Sequence, residues 1–85
     1  MYSIEIKKSA AREIEALPPR DMCLVVERIG RLAAEPRPRG CEELVGGERY
    51  RVRQGDYRIV YSIEDDQLII WIVKVGHRRD VYRHI

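Results

Sequence analysis

The spacing of apolar residues predicts a strand followed by two helices in the first half of the chain. Tyr2, Ile4 and Ile6 alternate with polar residues, which is typical of a half-buried strand. Apolar residues then recur at helical spacing in two segments that are interrupted at Pro18 and end before Pro36. The positions in these two stripes are Ala10, Ala11, Ile14 and Leu17, and then Met22, Val25, Val26, Ile29, Leu32 and Ala33. Because the connection between the segments is so short, they are expected to form a helical hairpin.

The second half of the chain predicts a loop and three strands. Residues 36–47 hold two prolines and three glycines and are expected to be a loop, with Leu44-Val45 as an anchor onto the core. Two alternating strands follow at about 49–53 and 57–63, joined by a loop from Gln54 to Tyr57. Residues 68–75 are apolar on both faces and predict a central strand, with Trp71 in the core.

Side-chain sorting fixes the expected register of the hairpin. Pairing Arg53 with Arg58 places Val52 opposite Ile59 on one apolar face and brings Arg51 to the two arginines on the other face. A slip by one residue would mix the two sets. We therefore predict an α+β fold: an N-terminal strand, a helical hairpin and an antiparallel β-meander, with both helices on one face of the sheet. The arginines then lie on the free face.

Size and composition narrow the class of protein. The 85 residues are expected to form a single domain over 1–85, and the net charge of +2 is too small to predict nucleic-acid binding by itself. The longest apolar run, from Leu68 to Val73, is too short to cross a bilayer, so no membrane partner is expected. Cys23 and Cys41 lack metal-binding spacing and no secretory segment is evident, which favours reduced thiols and a cytoplasmic location.

The chemistry of the chain is dominated by arginine, with 13 Arg against 3 Lys. Guanidinium groups are planar, always charged and suited to bidentate contact with phosphate oxygens. A GxSxG elbow, a P-loop, an HExxH motif and paired metal-ligand carboxylates are all missing from the sequence, so neither a metal nor a cofactor is expected. The arginines together with His77 and Tyr82 could support metal-free cleavage of RNA, in which the neighbouring 2′-hydroxyl attacks the phosphate.

An ordered set of short motifs resembles the RelE/ParE toxin superfamily, and specifically its RelE-like ribosome-dependent mRNA endonucleases. The motifs are Leu44-Val45-Gly46, Tyr50-Arg51-Val52-Arg53, Gly55-Asp56-Tyr57-Arg58-Ile59-Val60-Tyr61 and Val75-Gly76-His77-Arg78-Arg79-Asp80-Val81-Tyr82. The resemblance implies the toxin of a toxin–antitoxin pair that cuts mRNA in the ribosomal A site. It also implies a RelB-like antitoxin as partner, with operator DNA bound only through the toxin–antitoxin complex.

The resemblance implies catalytic roles for Arg58, Arg78 and Tyr82, and binding of RNA phosphates by Arg51 and Arg53. The best-studied members have lysines at these last two positions, so charge stabilisation is retained here but not proton transfer by lysine. Arg49 and Arg79 extend the phosphate-binding set, with contact to solvent or antitoxin as the alternative.

The group that accepts the proton is left open between two candidates. Tyr82 matches the family position, although a reference pKa near 10 leaves only about one phenol in a thousand ionised at neutral pH. His77, with a reference pKa near 6.5, is the rival base or acid.

Two other functions compete with the ribonuclease. A ParE-like member would inhibit DNA gyrase with the same fold and without catalysis, and a degenerate member would only bind its antitoxin. In addition, Arg51, Arg53 and Arg58 could be a solvated sheet face with no function, the usual role of arginines on strands. Burial of these three side chains would argue against a solvated sheet face.

Overall fold

The computed structural model describes residues 1–77 and confirms the predicted α+β class. Two helices pack on a five-stranded sheet whose strand order is β1-β5-β4-β3-β2. The β1–β5 pair is parallel and the other pairs are antiparallel, so the sheet is mixed. The elements are β1 (Ser3–Ile6), α1 (Lys8–Glu15), α2 (Pro19–Leu32), β2 (Glu42–Glu43), β3 (Tyr50–Gln54), β4 (Tyr57–Glu64) and β5 (Ile69–His77).

The hydrophobic core lies between the helices and one face of the sheet. Pro19 opens α2 at a position where its missing N–H costs nothing, and Asp21 in the first turn suits the positive end of the helix. The helices contribute Ala10, Ile14, Val25, Ile29 and Leu32 to the core, and the sheet contributes Val52, Ile59, Tyr61, Ile70, Ile72 and Val75. None of the helices within residues 1–77 combines the length and hydrophobicity needed to cross a membrane.

The β3–β4 hairpin has the predicted register. Val52 pairs with Ile59, and Arg53 pairs with Arg58. Gln54 and Tyr57 also pair, so the connection is the two-residue turn Gly55-Asp56 and not the predicted four-residue loop. Gly55 has a φ of +59°, a conformation that glycine adopts without the steric cost borne by other residues.

A β-bulge in β5 changes which of its residues face the core. Val60 pairs with Lys74 but the next residue, Tyr61, pairs with Ile72, so Val73 is an extra residue on β5. The core side therefore holds Ile70 and Ile72 before the bulge, and Val75 after it.

The prediction that Trp71 belongs to the core is wrong. Ile70 and Ile72 are fully buried on the helix side, and successive strand residues point to opposite faces. Trp71 therefore lies on the other face, where it pairs with Ser62 and remains partly exposed. An apolar run with no alternation gave no indication of which face would be covered.

The segment between α2 and β3 differs in two ways from the predicted loop. It contains β2, which pairs with the start of β3. The anchoring prediction is only half correct, because Leu44 is half-buried whereas Val45 is fully exposed.

Polar contacts hold the start of this segment against the sheet. The Tyr61 hydroxyl donates to the carbonyl oxygen of Pro36 at 2.7 Å, and burial raises the pKa of that phenol. Arg37 forms an ion pair with Asp65 at 3.0 Å and lies over the ring of Tyr50, 5.2 Å from its centroid. Hydrogen bonds from Arg37 and then from Tyr2 hold the pKa of the Asp65 carboxyl below its usual value. The segment is thereby tied to both the β4–β5 turn and the hairpin.

Candidate functional site

Three arginines lie together on the sheet face opposite the helices, as predicted. Arg51 and Arg53 are two residues apart on β3, and Arg58 is the direct cross-strand partner of Arg53. Alternation along a strand therefore places all three side chains on one face.

These arginines line a cavity of about 310 Å³ that extends beyond the sheet. Two further arginines join them: Arg28 from α2 and Arg39 from the segment before β2. Within residues 1–77, β2 pairs with Tyr50 and Arg51 and no strand covers the rest of this edge of β3, so side chains from the helix side can reach the cavity past it. We call this cavity the arginine cleft; its lining residues are Arg28, Arg39, Gly40, Glu42, Arg51, Arg53 and Arg58.

Sequence reasoning missed Arg28 and Arg39. Arg28 follows Val25 by three residues at the border of the apolar stripe of α2, a position compatible with either solvent or a cleft. Arg39 lies in a segment without periodicity. Neither residue forms an ion pair with any residue between 1 and 77, so both add positive charge to the cleft.

Arg58 is the deepest cation of the arginine cleft. It is 7% exposed, and it is the one buried side chain among residues 1–77 that carries a charge. Removing a guanidinium from water is costly, so burial distinguishes Arg58 from an ordinary solvated strand arginine. Its neighbour Arg53 is exposed at the mouth of the same cleft.

One carboxylate, Glu42, is among the described residues that line the cleft. It stands opposite Arg51 in the β2–β3 ladder and forms an ion pair with it. Among residues 1–77, the lining therefore carries five guanidinium groups against one carboxylate. Such a surface attracts polyanions.

His77 lies on the opposite face of the sheet from the arginine cleft. It is the direct cross-strand partner of Tyr57, whose side chain packs against the core, and the two rings meet edge to face at 6.1 Å. His77 lines a separate cavity of about 380 Å³ with Asp21 and Tyr57. The strand alternation that unites the three arginines thus places His77 on the other face of the sheet.

The other predicted site residues fall in two groups. Arg49 precedes β3, is exposed, and lines a different surface hollow at the β2–β3 turn, so the structure does not place it with the cleft. Arg78, Arg79 and Tyr82 lie outside the described residues. On the helix side, desolvation by burial and then a hydrogen bond to Asp21 raise the pKa of Tyr57.

Solved structures with this architecture define the class of protein. The chain superposes on the RelBE2 toxin–antitoxin complex from Mycobacterium tuberculosis with a TM-score of 0.81 and 34% identity, covering 91% of this chain and 98% of that one. It matches the archaeal RelE–RelB complex from Pyrococcus horikoshii with a TM-score of 0.82 and 31% identity, covering 94% and 98%. The isolated Escherichia coli RelE toxin has the same fold at 22% identity, with a TM-score of 0.80 and coverage of 98% and 93%. The protein is a toxin of the type II toxin–antitoxin class.

Sequence comparison gives the family. Residues 4–82 match the family described as the ParE toxin of type II toxin–antitoxin system, parDE. Toxin RelG from Mycobacterium tuberculosis is 37% identical over 86 residues, which covers 96% of this chain and 97% of that protein. Toxin RelE from the same organism is 33% identical over 86 residues, covering 96% and 87%. The chain belongs to this RelE/ParE toxin family.

Proposed function

We propose that the protein is a ribosome-dependent endoribonuclease that cuts mRNA in the ribosomal A site and so inhibits translation. The observation that carries the proposal is the burial of Arg58 within a cleft whose described lining holds four other arginines. A guanidinium held out of water beside a phosphate stabilises developing negative charge far better than one that is solvated.

The proposed reaction needs no metal. The 2′-oxygen attacks the adjacent phosphorus, the bond from phosphorus to the 5′-oxygen breaks, and the products are a 2′,3′-cyclic phosphate and a 5′-hydroxyl. One group removes the proton from the 2′-hydroxyl, and a proton is delivered to the leaving 5′-oxygen. Arg58 stabilises charge on the phosphate, while Arg51 and Arg53 hold the strand.

Three residues that follow residue 77 in the sequence have roles in the proposed mechanism. Arg78 would add a second cation at the phosphate, and Tyr82 would act in proton transfer, its phenolate favoured by the nearby arginines of the sequence. Arg79 remains a candidate for contact with the RNA backbone. The position of His77 on the helix side makes Tyr82 the stronger of the two candidates for proton transfer.

The proposed partner is a RelB-like antitoxin, by similarity to the toxin–antitoxin complexes of known structure. A segment of the antitoxin that covers the arginine cleft would neutralise both its charge and its access to RNA. Binding to operator DNA is proposed only for the toxin–antitoxin complex.

Cleavage should depend on the ribosome. The described lining of the arginine cleft offers cations but no aromatic side chain on which a base could stack, so the cleft can hold a phosphate without orienting a single strand. Purified protein is expected to leave naked mRNA nearly intact and to cut the same mRNA on translating ribosomes. Rapid cleavage of free RNA, or intact mRNA on ribosomes whose translation continues, would contradict the proposal.

Inhibition of DNA gyrase is the second candidate function, because the matching family description carries the ParE name. A supercoiling assay with purified gyrase separates the two candidates. The ribonuclease proposal predicts normal supercoiling at toxin concentrations that stop translation.

A further inference from the structure

The arginine cleft contains a negative charge of its own, carried by Glu42. Glu42 lies in β2 directly opposite Arg51, on the arginine side of the sheet, and the two side chains form an ion pair. The side chain of Arg51 is 16% exposed whereas that of Glu42 is 64% exposed, so the arginine is the more buried member of the ion pair. A phosphate that binds Arg51 must therefore compete with a carboxylate that is already in contact with the guanidinium group.

We propose that Glu42 competes with the RNA phosphate for Arg51 and thereby weakens the affinity of the cleft for nucleic acid. Carboxylate and phosphate oxygens use the same donors of a guanidinium group, so they cannot both take its outward N–H groups. The inference rests on the proposed function in taking an RNA phosphate as the ligand, and it assigns to Glu42 a role that the catalytic set does not include.

The surrounding charges indicate how the exchange would proceed. Arg28, Arg39 and Arg53 line the same cleft and form no ion pair within residues 1–77. An incoming strand can therefore contact these cations first and then displace Glu42 from Arg51. Because the ion pair is largely solvated on the Glu42 side, this displacement should cost little, and the effect is a moderate reduction of affinity.

A lower affinity of the arginine cleft for nucleic acid affects which strands the protein binds. Five arginines with no internal carboxylate would bind any single strand through its phosphates, since this contact carries no sequence information. Competition from Glu42 lowers that non-specific affinity, and it makes productive binding depend more on the ribosome that presents the strand.

The chain supplies its own matched control in the neighbouring Glu43. Glu43 pairs with Tyr50, whose ring stacks on buried Tyr61, so it lies on the helix side of the same short strand. Glu42→Gln and Glu43→Gln remove the same charge from adjacent positions and keep the side chains nearly unchanged in size. A difference between the two variants therefore reports on the face and the ion pair, not on net charge.

The test measures binding of a fluorescent 2′-O-methyl RNA decamer, which lacks the attacking hydroxyl, by anisotropy over a range of KCl concentrations. Glu42→Gln is expected to bind about two- to five-fold more tightly than the wild type, the range for release of an exposed ion pair. Its plot of log affinity against log salt should steepen by up to about 0.7, because a phosphate takes the place of the Glu42 carboxylate on Arg51. Glu43→Gln should change both quantities much less.

A double variant isolates the contact. In an Arg51→Ala background, Glu42→Gln should lose its advantage and behave like Glu43→Gln, because the guanidinium for which it competes is gone. Equal gains for Glu42→Gln and Glu43→Gln, or a gain that persists without Arg51, would overturn the inference. These outcomes concern binding alone: a chain that binds the decamer as described but never cuts mRNA on ribosomes would overturn the proposed function instead.

Discussion

Arg58→Ala is expected to lower ribosome-dependent mRNA cleavage by a factor on the order of 10²–10³. Arg58 is the buried member of the arginine cleft, and removal of one charge-stabilising donor at a transition state typically has an effect of that size. The rate should be measured in single turnover with saturating toxin, so that a loss of binding is not mistaken for a loss of chemistry.

Two further arginine variants and one histidine variant test whether the loss of cleavage is specific to the side chain of Arg58. Arg31→Ala removes an exposed charge one turn from Arg28, outside the cleft lining, and should cleave like the wild type. His77→Ala should stay within about three-fold of the wild type, because His77 faces the helices. Folding of Arg58→Ala is checked by circular dichroism. Arg58→Lys is a second variant of the same position that retains the positive charge. A well-folded Arg58→Ala that cuts at the normal rate would show that the cleft is not catalytic.

Ile72→Ala is expected to lower the free energy of unfolding by about 2–5 kcal/mol, the usual cost of truncating a fully buried isoleucine. Ile72 is 0% exposed at the centre of the sheet, where β5 has β1 on one side and β4 on the other. Small domains are stable by only about 5–15 kcal/mol, so this single change removes a large share of the total. The measurement is urea denaturation of the isolated chain.

Its cross-strand partner provides the control. Ile6 pairs directly with Ile72 across the parallel β1–β5 ladder but is 42% exposed. Ile6→Ala should therefore cost much less, because less apolar surface leaves water at that position and the cavity can fill with solvent. Equal losses for the two variants would mean that the core does not centre on β5.

The register of the hairpin was predictable because the two faces of β3 and β4 carry different kinds of side chain. Only one pairing puts Val52 with Ile59 and Arg53 with Arg58, and the structure has that pairing. The arginine face followed directly from it. Here the sequence contains the information, since a shift by one residue would mix arginines with the apolar residues on the core side of the hairpin.

The sequence contains no comparable sorting of side chains in β5 or in the segment between α2 and β3. An uninterrupted apolar run does not show which residues face the helices, and the bulge at Val73 changes the alternation partway along the strand. The result was the wrong position for Trp71. The two glutamates of β2 have low strand propensity, and they form a strand because β3 offers an unpaired edge.

The candidate site was predictable only in part for the same reason. Arg51, Arg53 and Arg58 share one hairpin, so local rules suffice to bring them together. Arg28 and Arg39 reach the cleft through tertiary packing, which no spacing rule records. His77 follows Gly76, the partner of Arg58, yet one step along a strand reverses the face.

The chemical nature of the cut ends tests the central claim most directly. Messenger RNA recovered from translating ribosomes treated with the purified toxin is mapped by primer extension, and the ends at each cut are identified enzymatically. Attack by the 2′-hydroxyl predicts a 2′,3′-cyclic phosphate upstream of the cut and a 5′-hydroxyl downstream of it. Cuts that bear a 5′-phosphate, or intact mRNA together with inhibited gyrase, would contradict it.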